Sequence, residues 1–292
     1  MVEFEVPEID YTRYSNRQLA AIPLIVLAVA LLILGGWYFM TGYPVNPGLE
    51  FTGGTELRLD VEAADGMTAE EQIENAFSAE VDSIRQVPAD GEYVVTFREG
   101  DATATELEAE AREAGFGIEE ISDVSASFGA DTQILALGGL VVAFVGMSVL
   151  VFAMFRTFVP SIAVVMSAFS DVMVPLALMN LFGIELSLGT VAALLMMIGY
   201  SVDSDILLNN SILRRTGDFY ESTNRAMRTG VTMTLTSISA MVVMTITAWI
   251  FGIGLLTAIG IILVFGLLTD LMNTYLLNVS LLRWYKYEGV KR

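Results

Sequence analysis

Two carboxylates and two amides close a long apolar run in this 292-residue chain. Gly199-Tyr200-Ser201-Val202-Asp203-Ser204-Asp205-Ile206-Leu207-Leu208-Asn209-Asn210 follows Leu186 to Ile198, and no basic residue appears before it ends. An ionisable side chain at the centre of a membrane helix costs roughly 2.5–3.5 kcal/mol on insertion scales, so it points to a purpose at that depth. Helical spacing puts Gly199, Asp203 and Asn210 along one side and Ser201, Asp205 and Asn209 along the other. No orientation of the helix turns both carboxylates away from lipid unless other helices pack around it. Asp171 and Asp270 lie at similar depth in other spans. The chemistry open to such a set is an ion path or a conformational lock. The plainer alternative is a carboxylate satisfied by a Ser, Thr or Asn neighbour that only cements helix packing. Four such residues in one bundle are a heavy cost for packing alone, so function is favoured. Asp203 and Asp205 rank first, Asp171 next and Asp270 last.

The fifth apolar span supplies a complement. Arg228, Thr232, Thr236 and Ser239 recur at i, i+4, i+8 and i+11, a polar stripe that ends in a cation. If Arg228 faces Asp203 or Asp205, protonation of the carboxylate breaks the pair, which is a switch in outline. A threonine stripe also serves as glue between helices, and the basic stretch from Arg214 to Arg228 reads first as a topology signal.

These residues need a membrane around them, and composition supplies one. Hydrophobic residues make up 54% of the chain and the mean hydropathy is +0.61, so the class is a membrane protein. With no cysteine there is neither a disulfide framework nor a thiolate site. With no histidine, proton handling falls to carboxylates. The net charge of −19 sits almost wholly between Gly42 and Asp131, where 22 acidic residues face 4 basic ones. Acid spread so evenly over one domain suits solubility in a high-salt environment rather than ligand binding. No Gly-rich phosphate loop is present, so work must come from an ion gradient or from partners.

The expected fold is a polytopic α-helical membrane protein, six transmembrane helices with one extracellular α+β domain between spans 1 and 2. Residues 1–18 form a cytoplasmic segment and 19–40 an uncleaved first span. The outer domain, 41–133, carries strand patterns at 50–62, 82–87, 93–97 and 119–128. A turn at 88–91 joins the middle pair, and two helices begin at capping boxes Thr68 to Glu71 and Thr103 to Glu106. That order, βαββαβ, is ferredoxin-like. Spans 2 to 6 fall at 134–155, 158–182, 186–208, 231–251 and 255–282, with a cytoplasmic basic loop at 209–230 and a tail at 283–292. Eleven of the 15 basic residues then lie on one side and none in the two short outer turns. The positive-inside rule therefore sets both termini in the cytoplasm of a cell-membrane protein, and the acidic domain outside.

Several of these residues match a family. Glu50-Phe51-Thr52-Gly53-Gly54-Thr55 resembles the Asp/Glu-Phe-x-Gly-Gly-Thr signature that opens the exported domain of SecD and SecF proteins. Ser170-Asp171-Val172 resembles the His-Asp-Val of the third span, and Thr190 to Ser201, with its Gly199-Tyr200-Ser201 ending, is similar to the fourth. The chain as a whole resembles the SecF branch of the SecD/SecF family, within the RND superfamily, in archaeal and haloarchaeal form. The resemblance implies an accessory of Sec protein export that assists exported chains on the outer side, with ion flow as the drive in bacteria. It implies a SecD partner with six further spans, the Sec translocon channel, an unfolded polypeptide in transit and a lipid bilayer. It implies no enzyme activity, no nucleic acid and no cofactor beyond a transported H⁺ or Na⁺. Ion-coupling candidates are Asp171, Asp203, Asp205, Asn210, Arg228 and Thr232. Bacterial members place x-Asn-Asp-Thr after Gly-Tyr-Ser; here it is Val202-Asp203-Ser204-Asp205, so Ser204 holds the family carboxylate position with an acid on each side. Arg228-Thr229 matches the basic residue that opens the fifth span. A half-unit of an RND-type exporter of lipids or small solutes shares the bundle, but a full unit of 12 spans exceeds 292 residues. An intramembrane aspartyl protease built on Asp171 and Asp203 lacks its Gly-x-Gly-Asp.

Overall fold

Ser15 opens the first long helix, α1 (Asn16–Thr41). Its hydroxyl accepts from the Gln18 N–H while the Gln18 side chain accepts from the Ser15 N–H, and left-handed Gly42 ends the helix. The computed structural model describes residues 11–61, 67–87, 91–214 and 218–289. After α1 the chain makes a single helical turn, α2 (Leu49–Thr52), and enters β1 (Gly54–Asp60). Then follow α3 (Ala69–Ala76), β2 (Val81–Gln86), β3 (Tyr93–Arg98), α4 (Ala104–Glu113) and β4 (Gly117–Val124). Both anticipated capping boxes are present, at Thr68 and Thr103. The sheet order is β2-β3-β1-β4 with every neighbour antiparallel, the split arrangement of a βαββαβ chain. Leu57, Leu59, Val95 and Phe97 turn inward against Ile73, Leu107, Ala111 and Phe116, the core beneath the two helices.

The boundaries differ from the sequence reading in places. The stretch 50–62 divides into α2 and β1, because Gly53 at φ 80 closes the helical turn before the strand can start. The last strand ends at Val124 rather than 128, and α5 (Ala126–Phe155) begins there, outside the apolar run. The expected turn at 88–91 has residues 88–90 outside the described ones.

The bundle continues with α6 (Phe158–Phe182), α7 (Leu188–Arg214), α8 (Phe219–Ile250) and α9 (Gly254–Met272). The last of these passes through a π-helical stretch, Asn273–Asn278, into α10 (Val279–Trp284). Six helices are long and apolar enough to cross a membrane among the described residues. The basic segment 209–230 is mainly helix rather than loop, because α7 runs on to Arg214 and the Asp218 side chain caps α8 through the Tyr220 N–H. The most apolar stretch of α6 is 61% buried, against 6% in α5 and 11% in α8. Small residues at Ser161, Ala163, Ser167, Ala168, Ser170 and Ala177 make α6 the central post that others approach closely.

The sheet domain, expected outside the membrane and called the outer domain for that reason, is stitched to this bundle. The Asn180 side-chain amide donates to the Pro44 carbonyl at 2.8 Å. Gly48 N–H bonds the Leu186 carbonyl, and Leu186 N–H the Asn46 carbonyl. The Glu50 carboxylate accepts from Leu188 N–H at 2.6 Å, so a signature residue of the outer domain caps the N-terminus of α7, where the helix dipole favours an anion. Arg85 lies over Gly254 at the α8–α9 turn. Burial pushes the Glu185 carboxyl above its ordinary range, the neighbouring Asp82 and Glu56 carboxylates add to this, and Arg85 opposes it. A carboxyl raised in the folded state binds more protons folded than unfolded, so its contribution favours the docked state at low pH and fades as pH rises through the raised value. Glu185→Gln is therefore expected to raise the thermal midpoint of the purified protein at about pH 7.5 more than at about pH 4.5. An equal change at both values would overturn this.

Candidate functional site

The two faces of α7 part as helical spacing dictates: Gly199, Asp203 and Asn210 are exposed, and Ser201, Asp205 and Asn209 are buried. The buried face meets α6 and the sixth span. Asp171, wholly buried on α6, accepts at Oδ2 from the Ser201 hydroxyl at 2.6 Å and the Ser167 hydroxyl at 3.5 Å. Its Oδ1 accepts from the Asn273 amide at 2.6 Å. Asp205 Oδ1 accepts from Thr274 at 2.9 Å and Asn278 at 2.8 Å. Asp270 Oδ1 accepts from Ser204 at 2.7 Å and Thr274 at 3.3 Å. Three carboxylates from three helices thus form one polar core, and every donor to them is neutral. Asp205 Oδ2, Asn273 Oδ1, Asn278 Oδ1 and both side-chain atoms of Asn209 are buried without a hydrogen-bond partner from the protein, so this core has unused polar capacity. Among the described residues no group of three or more Asp, Glu, His or Cys could hold a metal ion.

This arrangement corrects the expected ranking. Asp203 stands on the outward face, so the acids to weigh are Asp171, Asp205 and Asp270. Arg228 does not serve as the partner of Asp205, whose hydrogen bonds both come from the sixth span. Arg228 and Thr232 are exposed on α8. The hydroxyls of Thr232, Thr236 and Ser239 bond carbonyls one turn back on their own helix, which satisfies them without any facing carboxylate. Asn210 is exposed. Asp171 and Asp203 are no dyad, because Asp171 on α6 meets the buried Ser201 face of α7 while Asp203 stands on the exposed face. Ser204, at the position where the resemblance puts a carboxylate, donates to Asp270. A carboxylate of the sixth span thus stands against the Ser204 side chain.

Ser167, Asn273, Thr274 and Asn278 were not singled out from sequence. A signal existed for three of them: Asn273 and Thr274 lie three and four residues after Asp270, and Asn278 lies four after Thr274. The π-helical turn is the part that spacing could not give. A widened turn of this kind is rare and concentrates at functional sites, and here it spans Asn273 to Asn278.

A bundle of six membrane-length helices, with an inserted antiparallel α+β domain and a polar core at mid-depth, defines the class. Residues 105–288 match the family model described as protein export membrane protein SecD/SecF, C-terminal, and residues 38–65 match the SecD/SecF GG motif. A protein-export membrane protein SecF of Haloferax volcanii is 72% identical over 292 residues, covering all of both chains. That of Haloquadratum walsbyi is 65% identical over all of both, and that of Methanolacinia petrolearia 40% identical over 97% of this chain and 98% of the other. The crystal structure of SecDF, a translocon-associated membrane protein from Thermus thermophilus, superposes with a TM-score of 0.72 at 20% identity. It covers 96% of this chain and 39% of that one. The chain belongs to the SecD/SecF family, on its SecF branch.

Proposed function

We propose that the chain is an accessory subunit of Sec protein export, working beside a SecD partner at the outer side of the cell membrane, and that cation entry to the Asp171–Asp205–Asp270 core drives it. The observation that carries the ion-coupled part is a set of three buried carboxylates whose donors are all neutral. Buried charge without a paired cation has to be neutralised, and uptake of H⁺ or Na⁺ would do so. Its arrival competes with the Ser201, Ser204 and Thr274 hydroxyls for carboxylate oxygens and loosens α7 from the sixth span. Because Glu50 holds the outer end of α7, such a shift reaches the outer domain through a backbone hydrogen bond.

Family membership and the 39% coverage of the SecDF chain support a second six-span half. The polar outward residues support where it sits: Asp203 and Asn210 on α7 and Arg228 on α8 are exposed positions that lipid does not suit. Both termini then face the cytoplasm, as the arginine and lysine distribution favours, and the outer domain meets the exported polypeptide.

The test is secretion of a pulse-labelled Sec substrate in cells lacking the chain and in cells complemented with it, with the H⁺ and Na⁺ gradients collapsed separately. Restoration that is lost when one gradient is collapsed supports the reading and names the ion. Restoration indifferent to both would overturn ion coupling, and no restoration would overturn the export role.

A further inference from the structure

Beneath the carboxylate core, the inner end of the bundle is closed by the chain's own N-terminal segment. Tyr11, in a 3₁₀ turn (Tyr11–Arg13) ahead of α1, has 1% of its surface exposed. It packs among Leu208 and Ile212 of α7, Phe219 and Met227 of α8, and Tyr275, Val279 and Leu282 of the sixth span. Its hydroxyl donates to Met227 Sδ at 3.4 Å, and burial pushes the phenol up to about 12, so it stays neutral as a wedge should. Arg283, at the end of the sixth span and buried, fastens this turn. Nη1 donates to the Tyr11 carbonyl and Nη2 to the Tyr14 carbonyl, both at 2.7 Å, and Nε donates to the Asn16 side chain. One guanidinium thereby spends its fork on three oxygens of the N-terminal segment, the geometry that fixes position and not only charge. Lys286 lies 5.7 Å from the centre of the Phe219 ring and covers the layer from below.

The aromatic layer stands between the polar core and the inner surface. Tyr275 has its hydroxyl tucked against Gly230 and belongs to the same packed cluster as Tyr11. Asn209, buried and unpartnered, is one turn past Asp205 on the way to Ile212, so polar chain leads down to the layer and stops there.

We infer that the Tyr11 turn, latched by Arg283, is a plug that closes the inner end of the path to the carboxylate core, and that releasing the latch opens that core to the cytoplasm. The inference rests on the ion-coupled reading for its purpose and on the proposed orientation for the side that opens. Its geometry rests on neither.

The natural absence of cysteine makes it testable by a single reporter, Asn209→Cys, in membranes of cells expressing the full chain with its partner. Labelling by a membrane-impermeant thiol reagent is timed in inverted vesicles and in right-side-out spheroplasts. With the plug intact the open form is a minor state of roughly 0.1–10%, so removing it with Tyr11→Ala or Arg283→Gln is expected to speed labelling in inverted vesicles by about tenfold or more. Tyr11→Phe, which keeps the ring, is expected to label like the parent. Unchanged labelling in both unlatched variants, with the protein still full-length and co-purifying, would overturn the plug. Faster labelling only in spheroplasts would overturn the orientation and leave the plug standing. Opening that leaves secretion unaltered would count against the ion-coupled reading alone.

Discussion

Asp205→Asn is expected to reduce secretion of a Sec substrate to the level of cells lacking the chain, and Asp203→Asn to leave most of it. The two residues are separated by Ser204 alone and are opposite in surroundings. Asp205 is wholly buried with Thr274 and Asn278 on one oxygen and nothing on the other, whereas Asp203 looks outward. An asparagine at 205 keeps the size and the acceptor oxygen but not the charge, so packing survives and a cation has no reason to stop. Asp171→Asn should behave like Asp205→Asn, because Ser201 and Asn273 bind it into the same core. The measurement is pulse-labelled secretion, with co-purification of the partner as the control for folding. Should Asp203→Asn prove the damaging change while Asp205→Asn is tolerated, the buried core is scaffold and the coupling residue lies on the outward face.

Gly54→Val is expected to remove the outer domain from a membrane part that still assembles. Gly54 has φ 135, and a β-carbon there meets the Phe97 carbonyl of β3 well inside van der Waals contact and Leu49 Cδ1 at 2.7 Å. A side chain in this backbone region costs about 1–3 kcal/mol by itself, and the collision with β3 adds to it at the first pair of the β1–β3 ladder. A small domain has only about 5–15 kcal/mol of stability to lose. Limited proteolysis of membranes should cut Gly54→Val within the outer domain under conditions that spare the parent. Gly100→Ala separates the two causes, since Gly100 also has positive φ (97) but nothing lies within 4 Å. If Gly100→Ala is cut as fast as Gly54→Val, strain alone governs and close approach to β3 has no part. The double-glycine signature is thus a packing requirement of β1 against β3, with its acid, Glu50, fastening the adjoining helix.

The fold was largely legible because each of its signals is local. Thr68 and Thr103 announce their helices by a partner three residues on, β1 and β3 alternate, and the six apolar runs are too long for anything but membrane helices. The division of α7 into a buried and an exposed face was equally legible, since 3.6-residue spacing needs no knowledge of neighbours. Which face is buried was not legible. It depends on Ser167 and Asp171 of α6 and on Asn273 to Asn278 of the sixth span, whose bonds to α7 bridge 30 to 73 residues of sequence, and their approach is a property of packing. For the same reason Asp270 was placed last although it stands beside Ser204, and Arg228 was matched to an acid because opposite charges invite pairing on paper. The helical ends that replace the expected 209–230 loop were hidden by their charge. Basic residues mark the inner side of the membrane without saying whether the chain there is coiled or helical.

The π-helical turn at Asn273–Asn278 carries one more meaning. A turn of that kind holds an extra residue inside a helix without ejecting it, so the sixth span behaves as a screw with a spare thread. Withdrawing the spare residue rotates everything below it by about 100° relative to everything above. Asp270 and Arg283 lie on either side of that turn. The angular register between Asp270 and the N-terminal latch at Arg283 is therefore set by the length of a single stretch, and deleting Leu276 would turn one relative to the other without altering either residue.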